Sequence, residues 1–246
     1  MQEPWNLKVD DTRLSDTLPT FIIFCEDEVS EPIYFKYFET SRIKVNPVGG
    51  QKSKMENVLK AIHHCISEDL MEFVGGVYKL KQEDTHVWSV FDRDKDNNDF
   101  GSTVFEKAIE LAKTSGIKVA WSNDSFELWV LLHFDDIDPE DLTNTMRSAY
   151  YEKLSSIFKS LPEPNEDLQR AILHKSFNYK KDLKQGNNFR NIVRPTIIGN
   201  IREAIERAKK LEEYHSAEGK PNHEKSPCTL VHHLVLELLE FGGKEI

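Results

Sequence analysis

The chain has 246 residues, 39% hydrophobic and 30% charged, which is enough apolar material for one large core or a core with an appended half. Its net charge of −10 excludes a protein that coats nucleic acid with its whole surface. Its longest apolar runs, FIIFC and LWVLLHF, are too short to span a bilayer, and the polar start MQEPWNLKVDDTRLSD has no apolar signal-peptide core.

In chain order, PTFIIFCEDE reads as a buried strand that ends in acids, because its β-branched and aromatic residues show no polar alternation. SEPIYFKYFETS reads as a helix, with Ser30 as N-cap and Pro32 early, where its missing N–H is harmless. RIKVNPVGG is a short strand closed by Gly49 and Gly50. KSKMENVLKAIHHCISEDLMEF carries Met55, Val58, Leu59, Ile62, Ile66 and Leu70 at helical spacing. THVWSVFD is the next clear strand, STVFEKAIELAKTSG a helix stopped by Gly116, IKVAWSN a strand and DSFELWVLLHF a helix. Strands alternating with helices predict an α/β fold, a parallel sheet flanked by helices. In such sheets ligands sit at the carboxyl ends of the strands.

After Asp135 the spacing is helical and no confident strand is read. SLPEPNED breaks a helix, KKDLKQGNN reads as a loop, IREAIERAKKLEEYH as an amphipathic helix, AEGKPNHEKSP as a polar linker, and CTLVHHLVLELLEF as a final helix that docks back. The expected organisation is an α/β domain at 1–135 and a helical region at 136–246 packed on it. Residues 170–210 hold eleven Lys and Arg against three acids, a net of +8, which leaves −18 elsewhere. A basic segment beside an acidic body suits phosphate binding next to an acidic metal site, and equally a solvated helical face.

The chemistry is concentrated in VWSVFDRDKDNND, where a buried strand runs into Asp92, Asp94 and Asp96. In extended chain alternate side chains share a face, so these carboxylates form an oxygen-donor set for Mg²⁺ or Mn²⁺, which would offset their repulsion. An EF-hand loop fails, since Asn97 and Thr103 stand where Gly and Glu are needed; a solvated acidic turn is the other reading. Glu26, after the first strand, belongs on the same rim, and Glu127, after IKVAWSN, is a fourth candidate ligand. Two ions about 4 Å apart would clamp both oxygens of a phosphodiester exchange. VGGQKSK lacks the spacing of a phosphate loop. The adjacent pairs His63-His64 and His232-His233 are expected on different helix faces and suit no zinc motif. Cys25, Cys65 and Cys228 have no metal spacing and point to a reducing, cytoplasmic setting.

FIIFCEDEVSEPIYF, VWSVFDRDKD, VAWSNDSFELWVLLHF and SPCTLVHHLVLELL together resemble the RloB-type Toprim proteins, which include the Toprim member of AbiL-type abortive-infection pairs. They are similar, more distantly, to the Toprim effector of PARIS-type anti-phage systems. The resemblance covers residues 18–135 and returns at 174–181 and 226–239. It implies a Toprim-like domain at 1–135, with Glu26 as catalytic Glu and Asp92 and Asp94 as the metal pair; Asp96 is an extra ligand. It also implies an ABC/SMC-type ATPase partner, nuclease action on nucleic acid with tRNA favoured over DNA, and a homodimer when active. Lys180 and Lys181 are the candidate catalytic cations, with Arg93 as another, and Tyr179 could stack on a base. One departure is CED where the family reads Cys-Glu-Gly, so Asp27 replaces a Gly that would let a phosphate approach. The competing readings are a non-catalytic Toprim-like module whose acidic rim docks a partner, and a haloacid-dehalogenase-like phosphatase. The latter wants Thr or Val where Asp96 stands.

Overall fold

Runs of β-branched and aromatic residues form the frame that places the acidic rim. The computed structural model describes residues 18–52, 54–81, 85–94 and 99–244. Seven strands are Thr20–Cys25 (β1), Lys44–Val48 (β2), Met71–Val74 (β3), Val77–Leu80 (β4), Thr85–Asp92 (β5), Lys118–Asn123 (β6) and Cys228–Thr229 (β7). The helices of the first half are Ser30–Lys36 (α1), Lys54–Ser67 (α2), Asp99–Thr114 (α3) and Glu127–Leu132 (α4). They are followed by Arg147–Lys159 (α5), Glu166–Ile172 (α6), Gly186–Asn188 (α7), Arg194–Ile198 (α8), Ile201–Ala217 (α9) and Val231–Gly242 (α10).

The main sheet has the order β2-β1-β5-β6-β7; its first four strands are parallel, and β7 pairs antiparallel with β6. The fold is therefore α/β, with a mostly parallel sheet flanked by helices. The two-residue period of a strand divides the core. Phe21, Ile23 and Cys25 enter one apolar cluster, with side chains of α1, α4, α5, α9 and α10. Ile22 and Phe24 enter the other, with side chains of α2 and α3. β1 is thus apolar on both faces, which is why FIIFC shows no alternation.

Three local readings are corrected. The helix read through Phe73 ends at Ser67. Asp69 takes a left-handed φ of 56°, and its N–H bonds the Ile66 carbonyl while the Leu70 N–H bonds that of Cys65. That pattern closes a helix end whatever the apolar spacing beyond it. The chain then forms the β3–β4 hairpin, turning at Gly75 and Gly76, both with positive φ, as a two-residue hairpin turn requires. KKDLKQGNN is helical rather than loop: π-helical turns at Tyr179–Leu183 and Phe189–Val193 flank α7. Asn178 caps the first of these, accepting from the Lys180 N–H at 3.0 Å, and Tyr179, Leu183, Phe189, Ile192 and Val193 are buried beneath. Although no strand is read after Asp135, Cys228 and Thr229 add an edge to the sheet through the Ser122–Thr229 and Asn123–Cys228 pairs.

Candidate metal centre

β1, β5 and β6 lie side by side and parallel, so their carboxyl ends open on one rim. Glu26 follows β1, Asp92 ends β5, and Asp124 and Glu127 follow β6. The rim is fastened from below: buried Asn57 on α2 donates to the carbonyls of Phe24 (3.2 Å) and Val90 (3.1 Å), tying the ends of β1 and β5 together. The Glu26 N–H donates to the Val90 carbonyl at 3.1 Å, and the Glu26 carboxylate accepts from the Asp92 N–H at 3.0 Å. Residues 66 apart in sequence are thereby in direct contact. Asp94 carries a left-handed φ of 46°, which Asp tolerates better than most residues, and its N–H reaches the Asp124 carbonyl at 3.3 Å.

The electrostatics are those of carboxylates short of cations. Burial first, then the charge of Asp94, pushes Glu26 up to about 7. Burial, followed by Glu31, Glu26, Glu127 and Asp94, raises Asp92 well above the carboxylate range. Burial, then Asp27 and Glu26, does the same to Glu31, whose side chain is 1% exposed and whose Oε1 has no hydrogen-bond partner. Three cations serve the periphery. The Lys184 ammonium lies 2.7 Å from buried Glu127 and 3.2 Å from Asp27. Burial works against its charge, but those two acids more than offset it and hold its pKa well above normal. Arg147 pairs with Asp94 and with Asp124, and Lys54 lies 4.0 Å from Asp94.

The oxygen donors of Glu26, Glu31, Asp92 and Asp94, with a buried unpartnered oxygen on Glu31, are of the kind a hard divalent cation such as Mg²⁺ or Mn²⁺ takes, but among the described residues no three rim carboxylates bring ligand atoms within 4.8 Å of one another, so they would have to close further to share one ion. Of the residues expected here, Glu26, Asp92 and Asp94 are brought together, and Glu127 faces the same cluster with Lys184 as its partner. Asp96 lies outside the described residues. Glu31 was not among the expected ligands; its signal was an acid in the first turn of the helix that follows the first strand.

The expected cations and the stacking residue lie in different settings. Lys180 and Lys181 are exposed and paired with no carboxylate among the described residues; the Lys180 ammonium lies 5.5 Å from the Tyr151 ring centroid. In this segment the lysine that reaches the acids is Lys184, which follows the π-helical turn, while Lys180 and Lys181 lie exposed. Arg93 is buried and points away, donating to the Asp94 carbonyl (3.1 Å) and to Ser102 Oγ (2.7 Å). Tyr179 is wholly buried and cannot stack on a base. Asp27 has a role of its own: its carboxylate accepts from the N–H groups of Val29 (2.5 Å) and Ser30 (3.1 Å) at the entry to α1, whose N-cap is Val29 and not the expected Ser30. Gly49 packs closely against this turn, where a Cβ would meet Pro32 at 3.0 Å and the Asp27 carbonyl at 3.2 Å.

Replacing Lys184 by Met should leave the buried Glu127 charge without its cation. Loss of one partner of a buried pair costs about 3–5 kcal/mol, so the melting temperature should fall by roughly 10 °C. The Lys180→Ala and Lys181→Ala changes, on exposed side chains, should stay within about 0.5 kcal/mol of the native protein. Thermal denaturation followed by circular dichroism checks both expectations.

A family model described as RloB-like protein matches residues 21–238, which takes in the sheet, the acidic rim and both C-terminal helices. The chain belongs to the RloB-like family. No curated protein and no solved structure matches it. Among the described residues no helix is long and apolar enough to cross a membrane.

Proposed function

We propose that this RloB-like chain is a divalent-metal-dependent Toprim-class nuclease that hydrolyses phosphodiester bonds. The observation that carries the reading is the contact between the Glu26 carboxylate and the Asp92 backbone, inside a cluster whose members raise one another's proton affinity. Glu26, Asp92 and Asp94 would hold Mg²⁺ or Mn²⁺, with Glu31 and Glu127 behind them. When bound, such an ion polarises a phosphate and acidifies a coordinated water.

The chain's own groups have separable tasks. If Asp92 and Asp94 hold the ion without it, Glu26 is instead the candidate base for an attacking water, since burial and then the charge of Asp94 raise its proton affinity in the metal-free chain. Lys184 keeps Glu127 in place, and Asn57 fixes the spacing of β1 and β5. A groove of about 410 Å³ beside the turn after β1 is lined by Glu28, Lys36, Arg190 and Arg194, among others. Its arginines belong to the basic segment and suit a phosphodiester backbone approaching the rim. Replacing both by Ala should weaken binding of a single-stranded RNA and flatten its salt dependence by about 1–2 units of slope. Fluorescence anisotropy at several salt concentrations measures that.

The resemblance to RloB-type Toprim proteins takes the proposal further. The substrate is nucleic acid, tRNA in preference to DNA, and the chain is the toxic effector of an ATPase-coupled anti-phage system. An ABC/SMC-type partner restrains it, and it acts as a homodimer once released in the cytoplasm. The direct test is purified protein incubated with tRNA, single-stranded RNA and DNA, with Mn²⁺ or EDTA, beside the Glu26→Gln variant. Metal-dependent cleavage by the native protein alone is expected; no cleavage of any of the three would end the nuclease reading.

A second reading, a non-catalytic module whose rim docks a partner protein, draws on the internal pairing of Asp94 with Arg147 and of Glu127 with Lys184. Such a rim needs no divalent ion. Isothermal titration with Mn²⁺ separates the two, since saturable binding lost on Asp92→Asn is expected only of the metal site.

A further inference from the structure

Far along the chain from the rim, α9 and α10 bring together three side chains that neither the rim nor the groove uses. Glu212 lies on α9, and His232 and His233 lie in the first turn of α10. Adjacent residues on a helix start about 100° apart, yet the two rings lean together, with centroids 4.2 Å apart. His232 Nε2 is 3.0 Å and His233 Nε2 2.8 Å from the same oxygen, Glu212 Oε2. The pair was expected on different helix faces and in no zinc motif; its rings instead share a carboxylate from another helix, which a local spacing rule cannot see.

The hydrogen bonding of His232 fixes its chemistry. Its Nδ1 lies 3.1 Å from the Thr229 carbonyl, which can only accept, so Nδ1 carries the hydrogen. In the neutral ring Nε2 is then a lone pair. His232 is 1% exposed, and this buried Nε2, although 3.0 Å from a carboxylate oxygen, makes no hydrogen bond. A lone pair facing a carboxylate is repulsive unless a proton or a metal cation lies between them. An imidazole whose other nitrogen donates to a backbone carbonyl is also how metal-binding histidines are oriented. A tetrahedral ion with ligands at about 2.0–2.1 Å sets neighbouring ligand atoms roughly 3.3 Å apart, near the separations seen here. The three candidate ligand atoms all lie within 4.8 Å of one another.

We propose that Glu212, His232 and His233 bind a zinc ion that clamps α10 to α9. Two imidazoles and one carboxylate suit a borderline-soft ion, not the Mg²⁺ of the oxygen-only rim. His233 is 48% and Glu212 30% exposed at the side chain, so the fourth position opens to solvent and takes water.

The test is a zinc titration of the full chain against a chromophoric chelator, with millimolar Mg²⁺ present to occupy the rim. One zinc per chain is expected. At about a hundred times the dissociation constant, zinc should raise the melting temperature by about 5 °C or more. His233→Ala, on a half-exposed side chain, and Glu212→Gln should each weaken zinc binding by more than about a hundredfold, beyond what loss of an outer partner costs. A Glu26→Gln, Asp92→Asn double variant should bind zinc as the native protein does. Failure of the native chain to take up zinc, or variants at 212 and 233 that bind undiminished, overturns the site and leaves an ordinary carboxylate–imidazolium contact. Loss of zinc in the rim variant overturns it too, and neither result bears on cleavage at the rim.

Discussion

Asp92→Asn should do two opposite things: abolish metal-dependent cleavage and make the metal-free protein more stable. Burial first, then the charges of Glu31, Glu26, Glu127 and Asp94, raises the pKa of Asp92. Each of those influences is also a free-energy penalty on keeping Asp92 ionised in the folded chain. Asn keeps the shape and removes the charge, so the neighbours lose a source of repulsion. The main-chain contact with Glu26 survives, because Glu26 accepts from the backbone N–H of residue 92 and not from its side chain. A gain on the order of 1–2 kcal/mol in EDTA is expected, a rise of several degrees in melting temperature. Activity should fall by about 10³-fold, the scale seen when one preorganised electrostatic contact to a transition state is lost. Single-turnover cleavage and thermal melting on the same preparations measure both. A variant that melts lower and cleaves normally would mean that Asp92 is a structural residue, satisfied by its surroundings, and that the rim is not the reactive centre. Sites that hold unfavourable charge for function are where stability is commonly sacrificed.

How much of this was legible without coordinates depends on the range over which each signal acts. β1 and β5 announce themselves because a strand buried on both faces is a short unbroken apolar run, and the acids that end such runs must stand at a sheet edge. Glu26 and Asp92 therefore followed from local sequence plus one topological rule. Glu31 did not, because an acid in the first turn of a helix is ordinarily read as serving the helix, and only packing shows that it is buried among other carboxylates. Lys184 was passed over because KKDLKQGNN was read as a loop, which assigns no inward face to its lysines; the π-helical turn at Tyr179–Leu183 leaves no mark in apolar spacing. The β3–β4 hairpin was missed although Gly75-Gly76 is a hairpin signal, since Leu70 continued the spacing of α2 by coincidence. Local rules fixed elements; contacts between distant elements, including Glu212 with His232 and His233, fixed the second layer of every cluster.

The rim should also make the stability of the metal-free protein fall as pH rises, the reverse of the usual acid denaturation. A carboxyl group whose pKa is raised on folding binds more protons in the folded state than in the unfolded state, and stability falls with pH wherever that holds. For Glu26 the window runs from the unfolded value of 4.5 to about 7. Its contribution is fully present below that window and lost as pH passes through it, on the order of 3 kcal/mol at most. Asp92 and Glu31 are shifted the same way and extend the loss in the same direction. Histidines elsewhere titrate over this range as well, so the quantity to read is the difference between native protein and Glu26→Gln, in which their contributions cancel. In EDTA that difference should move against the native chain between about pH 5 and 7 and then level off. Adding Mn²⁺ should reverse it at high pH and do little at low pH, because a bound ion must displace the same protons, at about one decade of affinity per pH unit for each proton released. Should Mn²⁺ stabilise equally at both ends, the carboxylates are already ionised in the resting protein. Arg147, Lys54 and Lys184 then hold them ionised before any ion arrives; should Mn²⁺ stabilise at neither end, the rim binds no ion and its chemistry has to be sought in docking rather than in hydrolysis.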